Sequence, residues 1–337
     1  MNNLLYHYTT EAGLAGIIGG DNIRATHIRF LNDWMEFREA FTENYGRILL
    51  DSFGAGLPRD LPADAQGVIS RMLTRRTSEI LAIAAGSEST NETFVCAFTS
   101  AALPEDNDPG DRLSQWRGYS AGTQGFSLGF NSELLRRRVE LNNRSAKATL
   151  EQCVYDDAEK RTFFEEIGRL AVARFNELWR ENQPVPSWFS TQWPDATEDY
   201  KKANAYFLEA LSRATSRLFT TAARIKNSGF REEREWRVIF QVTRDALAPI
   251  EDQRGRVETV KFRDGQFGRT PYIEIPLGLS EPEASPLREI VVGPGAYREE
   301  KKTYAELLLL NRGIEVFDPG KGRGVRVITS SIPYRTN

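Results

Sequence analysis

From Asp157 to about Lys226 the sequence keeps a helical period, broken only by the proline- and tryptophan-bearing stretch QPVPSWFSTQWPD, and segments of strand character lie on both sides of it. If strands from both flanks share one core, the helical block must leave that core and return to it. The pattern predicts an α+β fold: one domain over residues 1–337, a mixed β core with surrounding helices, and a helical insertion at 157–226.

Before the insertion the elements alternate. A strand is expected over Leu4–Tyr8, then a helix over Ala12–Ile18, capped by Thr9 or Thr10 and ended by Gly19-Gly20. An extended piece, Ile23–Phe30, leads to a helix carrying Met35, Phe37, Phe41 and Tyr45, with Asn32 or Asp33 as its cap. Residues 52–66 read as a linker and 67–84 as a further helix. The β-branched and aromatic run ETFVCAFTS reads as a buried strand. Residues 104–110 form a loop, Gly125–Phe130 a strand, and Asn131 or Ser132 caps a short helix rich in Arg136, Arg137 and Arg138. After the insertion EREWRVIFQV returns to strand, followed by shorter strands around Val257–Phe262, Tyr272–Ile275, Glu289–Val292 and Ile314–Phe317.

Several function classes fall away on composition. A net charge of -3 provides no global basic footprint for nucleic acid or for an anionic membrane, although a local basic groove stays open. Cys96 and Cys153 are too few for a disulfide framework, and the N-terminus lacks the layout of a signal peptide, so a reducing cytoplasm is expected. No apolar run is long enough to span a bilayer. The two histidines and two cysteines lack the spacing of a structural zinc site, and no metal is expected. Neither GGD nor GPGAYR matches a phosphate loop. GKGRGVR, residues 320–326, is a basic glycine loop that reads as a solvated turn or as a contact for nucleic-acid phosphates.

Chemistry concentrates in short motifs. LLYHYTT places His7 on the first strand, where its ring is either satisfied by backbone groups or turned to a ligand; His27, in the next extended piece, reads as an exposed strand residue. RFLND puts Arg29 at a strand-to-helix junction, SQWRGY holds Trp116, Arg117 and Tyr119, and Ser100 ends the ETFVCAFTS strand. In REEREWR, Glu235 is either a functional carboxylate or one member of a solvated charge run paired with Arg231 or Arg234. Glu105, Asp106, Asp108 and Asp111 resemble a nuclease's acidic metal cluster by composition, but their Pro/Gly/Asn context reads better as a loop.

LYHYT, RFLND, SQWRGY, EREWR and SIPYR together resemble an uncharacterised family of bacterial proteins, over Leu5 to Arg335. A strand bearing His-Tyr-Thr, then a helix, a Gly-Gly turn and a second strand, with a late Glu-bearing strand, is similar to the ADP-ribosyltransferase superfamily of His-Tyr-Glu type. Glu233-Arg234-Glu235 also matches the Glu-x-Glu of that superfamily's Arg-Ser-Glu branch.

The resemblance implies an NAD-dependent ADP-ribosyltransferase with NAD as substrate, acting as a toxin-like or phage-defence effector on a macromolecular acceptor, RNA or DNA with RNA slightly ahead, or protein. An inhibitory partner protein would suit such an activity. Glu235 would be catalytic, opposing the positive charge that develops on the ribose as the glycosidic bond breaks. His7 and Thr9 would orient a ribose, Tyr119 would stack on nicotinamide with Trp116 as the next choice, Arg117 and Arg29 would meet phosphates, and Ser100 would line the pocket. Trp188, Phe189 and Trp193 would cover NAD, stack on an acceptor base, or dock the insertion onto the core. The alternative is a non-enzymatic nucleotide-binding module of the same fold, in which Glu235 is structural.

Overall fold

The computed structural model describes residues 4–31, 37, 43–74, 91–101, 109–120, 124–141, 147–243, 260–265 and 268–333. Its strands are β1 (Leu4–Thr9), β2 (Asn22–His27), β3 (Asn91–Ser100), β4 (Phe126–Asn131), β5 (Lys147–Gln152), β6 (Glu235–Thr243), β7 (Lys261–Gly265), β8 (Gly268–Pro276), β9 (Leu287–Val292) and β10 (Arg326–Thr329). The helices are α1 (Glu11–Gly20), α2 (Glu43–Ala55), α3 (Ala63–Thr74), α4 (Leu113–Tyr119), α5 (Ser132–Leu141), α6 (Asp157–Glu181), α7 (Glu198–Ala222) and α8 (Arg298–Asn311), with a single turn at Ser187–Ser190. This is a mixed α+β fold.

β3 organises the sheet. One of its edges pairs with β6 along its whole length, from Asn91↔Thr243 to Thr99↔Glu235, and β6 pairs in turn with β5. The other edge is shared: β1 takes the end at Leu5↔Ser100 and Tyr6↔Thr99, and β2 takes Thr26↔Val95 and His27↔Phe94. From β1 the sheet runs on through β4, β9 and β10, and from β2 through β8 and β7. All these pairings are antiparallel except that of β9 with β10. Between the two partners, Cys96, Ala97 and Phe98 carry no registered pairing on that edge, so the sheet is split beside the middle of β3. A backbone carbonyl exposed in such a split needs another donor.

Two cores lie on opposite sides of β6. Val238, Phe240 and Val242 join Leu14, Phe126, Ile273 and Ile290 under α1, α5 and α8, whereas Ile239 joins Phe53, Phe164 and Phe207 beneath α2, α3, α6 and α7. The period-2 alternation of β6 sends successive side chains to these two cores. The helical block sits where its ends require: Val154 N–H donates to Arg224 O at 2.8 Å and Lys226 N–H to Val154 O at 3.0 Å, so it departs and returns at adjacent points. α6 packs so closely on α2 that a Cβ on Gly168 would stand 2.4 Å from the Leu49 carbonyl oxygen.

The structure alters several expectations. α1 runs through Gly19 and Gly20, and its C-cap is Asp21 at φ 53°, whose Oδ1 accepts from Leu279 N–H. An αL cap is open to Asp because its short side chain can bond locally. The expected linker at 52–66 is partly helical, α2 ending at Ala55 and α3 beginning at Ala63. Ile314–Phe317 holds only an isolated bridge, Val316↔Val325, and the edge strand is β10 instead. β5, KATLEQ, has no expectation behind it, because its polar alternation carries a weak apolar signal. Asn32, Asp33, Met35 and Phe41, residues 75–84, residues 104–108 and Val257 lie outside the described residues.

Candidate functional site

His7 sits at the split in the sheet. Its Nδ1–H donates to Ala97 O at 2.9 Å, supplying the carbonyl that the divergence of β1 and β2 leaves without a strand partner. That bond sets the neutral tautomer and leaves Nε2 as an acceptor, with no hydrogen bond among the described residues. Burial, and secondarily the positive charge of Arg263, hold the imidazole below its ordinary value despite the carbonyl bond. Cys96 Sγ lies 4.0 Å from His7 Nδ1, but burial pushes this thiol far up, which excludes a thiolate nucleophile.

A narrow cleft of about 50 Å³ opens here, lined by His7 and its neighbours Tyr6 and Tyr8, by Ala97, Phe98 and Thr99 of β3, by Gln115 and Tyr119 of α4, and by Glu233 and Glu235. Tyr119 is 45% exposed at its mouth, whereas Gln115 is buried in its wall. Three distant motifs, LLYHYTT, SQWRGY and EREWR, therefore meet at one place.

The acidic wall is built by a backbone device. Arg234, between the two glutamates, takes a left-handed φ of 43°, a conformation costly for a residue with a Cβ. Glu233 and Glu235 both reach Lys226 Nζ, and Glu235 Oε1 accepts from Arg237 Nε at 2.6 Å. Arg237 in turn donates from Nη1 to Ala223 O at 2.8 Å, and Glu235 N–H donates to Tyr155 Oη at 2.9 Å. Burial alone would raise the Glu235 carboxyl; Arg237 and Lys226 outweigh it and hold the group below its usual range, ionised at neutral pH. Of the two readings of Glu235, the solvated charge run does not hold: Glu235 is 4% exposed, and its ionic partners are Lys226 and Arg237, not Arg231 or Arg234.

The remaining expected contacts lie elsewhere. The Thr9 hydroxyl lies against α1, 1.9 Å from where a Cβ on Gly13 would be, so Gly13 is what admits it. Trp116 is core: it is buried edge-on against Tyr8, with Nε1 donating to Asp111 Oδ1 at 2.8 Å. Arg117 is on the exposed face of α4. Ser100 Oγ donates to Arg234 O at 3.2 Å, and Arg29 is exposed on the short 3-10 turn after β2; neither lines the cleft. His27 is buried, not exposed, with its ring nitrogen 2.8 Å from Glu92 Oε2 and its edge toward Phe94. Phe189 is buried against Trp193, which packs in turn on Tyr200 of α7; neither aromatic lines the cleft, and the Trp188 side chain lies outside the described residues.

Asp111 is a structural clamp: Oδ1 accepts from Trp116 Nε1 and Ser330 Oγ, and Oδ2 from Ser331 N–H and Oγ. Among the described residues no cluster of metal-ligating side chains is present. No helix of the described residues is long and apolar enough to cross a membrane. Arg137 and Arg138 are neutralised by Glu133 and Glu281, which reduces the expected positive patch on α5. Gln115, Lys226 and Arg237 had no sequence signal beyond lying in or near the motifs.

Comparison with known proteins adds a family-level likeness. A family model described as "Protein of unknown function (DUF2971)" matches residues 115–238, a span that runs from the α4 motif into β6 and so includes both Tyr119 and Glu235. No curated protein and no solved structure matches the chain.

Proposed function

We propose that the chain is an NAD-dependent ADP-ribosyltransferase whose reaction is organised at the His7–Tyr119–Glu235 cleft. The observation that carries this reading is the convergence of those three residues, drawn from β1, α4 and β6, on one cleft with an ionised carboxylate in its wall. Bound there, NAD would supply a glycosidic bond whose cleavage builds positive charge on the ribose. Glu235 would oppose that charge; a carboxylate has about four acceptor directions, of which Lys226 and Arg237 occupy two. His7 Nε2 would accept from a ribose hydroxyl, and the exposed ring of Tyr119 would pack on nicotinamide.

A cleft of 50 Å³ holds little more than one or two waters, each occupying roughly 30 Å³, so its walls would have to part for a ribose to enter. The acceptor would be a macromolecule, RNA, DNA or protein, and the activity that of a toxin-like or defence effector.

The engagement of both Glu235 oxygens by cations favours a second reading, a nucleotide-binding module without catalysis. One assay separates them. Protein is incubated with NAD labelled in the adenylate phosphate and, separately, with RNA, DNA and protein from cells. The enzyme reading expects label on one acceptor class with the unsubstituted chain, and its loss in Glu235→Gln and in the surface variant Tyr119→Ala. Folded protein that leaves NAD intact and every acceptor unlabelled would sink it in favour of the binding module.

A further inference from the structure

A larger cavity, about 530 Å³, lies beside β9 and β10. Its walls are the 279–288 loop, the stretch after α8 at 313–317 and the GKGRG turn. This volume falls in the usual range of small-molecule sites, roughly 300–1,000 Å³.

The wall at the start of β9 holds an unneutralised charge. Arg288 is half-buried, and its Nη1 donates to Ser285 O at 2.7 Å and Leu287 O at 2.9 Å, but no carboxylate pairs with it among the described residues. Burial lowers its affinity for the proton, yet a guanidinium stays charged, so the site keeps a partly desolvated cation that an anion would stabilise. Ser285, on the same wall, is buried with an Oγ that has no hydrogen-bond partner.

The glycine turn is a preformed wall. Gly324 has φ 107°, and a Cβ there would stand 2.7 Å from the Val316 carbonyl, so only glycine permits this approach. Val325 N–H donates to Glu315 O at 2.8 Å and Phe317 N–H to Val325 O at 2.9 Å, which locks the two segments together. The exposed ring of Phe317 lies 5.9 Å from the guanidinium of Arg326, which is itself 3.9 Å from Glu289 Oε2, so the ring is the flat apolar surface of this wall.

Acidic groups limit what can bind. Glu283, Glu289 and Glu315 also line the cavity, and Arg323 is neutralised by Glu315. A polyanion would meet these carboxylates. A ligand with one phosphate, a flat ring, and hydroxyl or amino donors matches the chemistry of the lining groups. We propose that this cavity binds a nucleoside monophosphate, with its phosphate on Arg288, its ring on Phe317 and its hydroxyls on the carboxylates. The site is separate from the His7 cleft and does not depend on the activity proposed there.

The test is calorimetric titration of the full chain with adenosine and uridine 5′-monophosphates, with adenosine and inorganic phosphate as partial probes. Either monophosphate should bind more tightly than adenosine or phosphate, and Arg288→Ala should weaken it at least about tenfold, the scale of a lost charge-assisted bond. Tyr119→Ala should leave it unchanged. No binding at millimolar monophosphate, or binding that survives Arg288→Ala but is lost in Tyr119→Ala, would overturn the assignment; the latter would place the nucleotide in the His7 cleft. Phosphate binding as tightly as the monophosphates would likewise reject a nucleotide site.

Discussion

Tyr6 Oη donates to Glu289 Oε1 at 2.9 Å, joining a residue that lines the His7 cleft to one that lines the larger cavity. The ring that makes this bond is boxed in, since a Cβ on Gly110 or Gly129 would approach it to 2.4 or 2.8 Å. Tyr6→Phe keeps the box and removes the bond from a buried carboxylate. A loss of about 1.5–3 kcal/mol is expected, measured by chemical denaturation with unchanged m-value. A loss near zero would mean that Glu289 is held by its other neighbours.

Lys226 carries the acidic wall. Replacing it by Met leaves Glu233 and Glu235 facing each other with Arg237 as the cation remaining on Glu235. Breaking a buried pair in this way costs about 3–5 kcal/mol, so Lys226→Met should unfold at markedly lower denaturant at pH 7. The folded Glu235 carboxyl lies below its ordinary 4.5, so its contribution is complete above that value and fades as the pH falls through the folded one. The gap between the two proteins should therefore narrow in acid.

His7 gives a second, separate pH dependence. Its folded value is depressed below 6.5, so between the two values the unfolded chain binds the extra proton and stability falls as the pH drops below 6.5. Protonation also removes the Nε2 acceptor. Stability measured from pH 7.5 to 5.5 should decline in the parent chain and decline less in His7→Gln; parallel curves would show that His7 does not titrate in this window.

Asp111 ties the segment after β10 to α4. In Asp111→Ala the Trp116 indole and the buried Ser330 hydroxyl lose their acceptor. A loss of about 1–3 kcal/mol follows for each buried donor left unsatisfied. Limited proteolysis should then cut after Thr329 sooner than in the parent chain. Equal cleavage rates would show that β10 alone secures this segment.

Much of the local structure was legible because it follows from neighbouring residues. ETFVCAFTS and EREWRVIFQV announce strands β3 and β6 through β-branched and aromatic runs, and Thr10 caps α1 by a side-chain bond to the amide three residues on. His7, Tyr119 and Glu235 were also visible, as motif residues. β5 was not, because a polar strand is stabilised by its pairing with β6 rather than by its own composition.

The sequence by itself determined where the strongly patterned strands and helices, such as β3 and β6, and the chemistry-bearing side chains fall, since periodicity and capping act over a few residues. Only the tertiary structure decided which of those side chains meet. His7 faces Ala97 across a split that exists because β1 and β2 divide one edge of β3. Glu235 is a buried, doubly paired carboxylate because the helical block returns Lys226 beside it. Trp116 and His27, polar at one end and equally suited to a pocket or a core, were assigned to the core by packing against Tyr8 and Phe94, contacts that span too much sequence for any local pattern to encode.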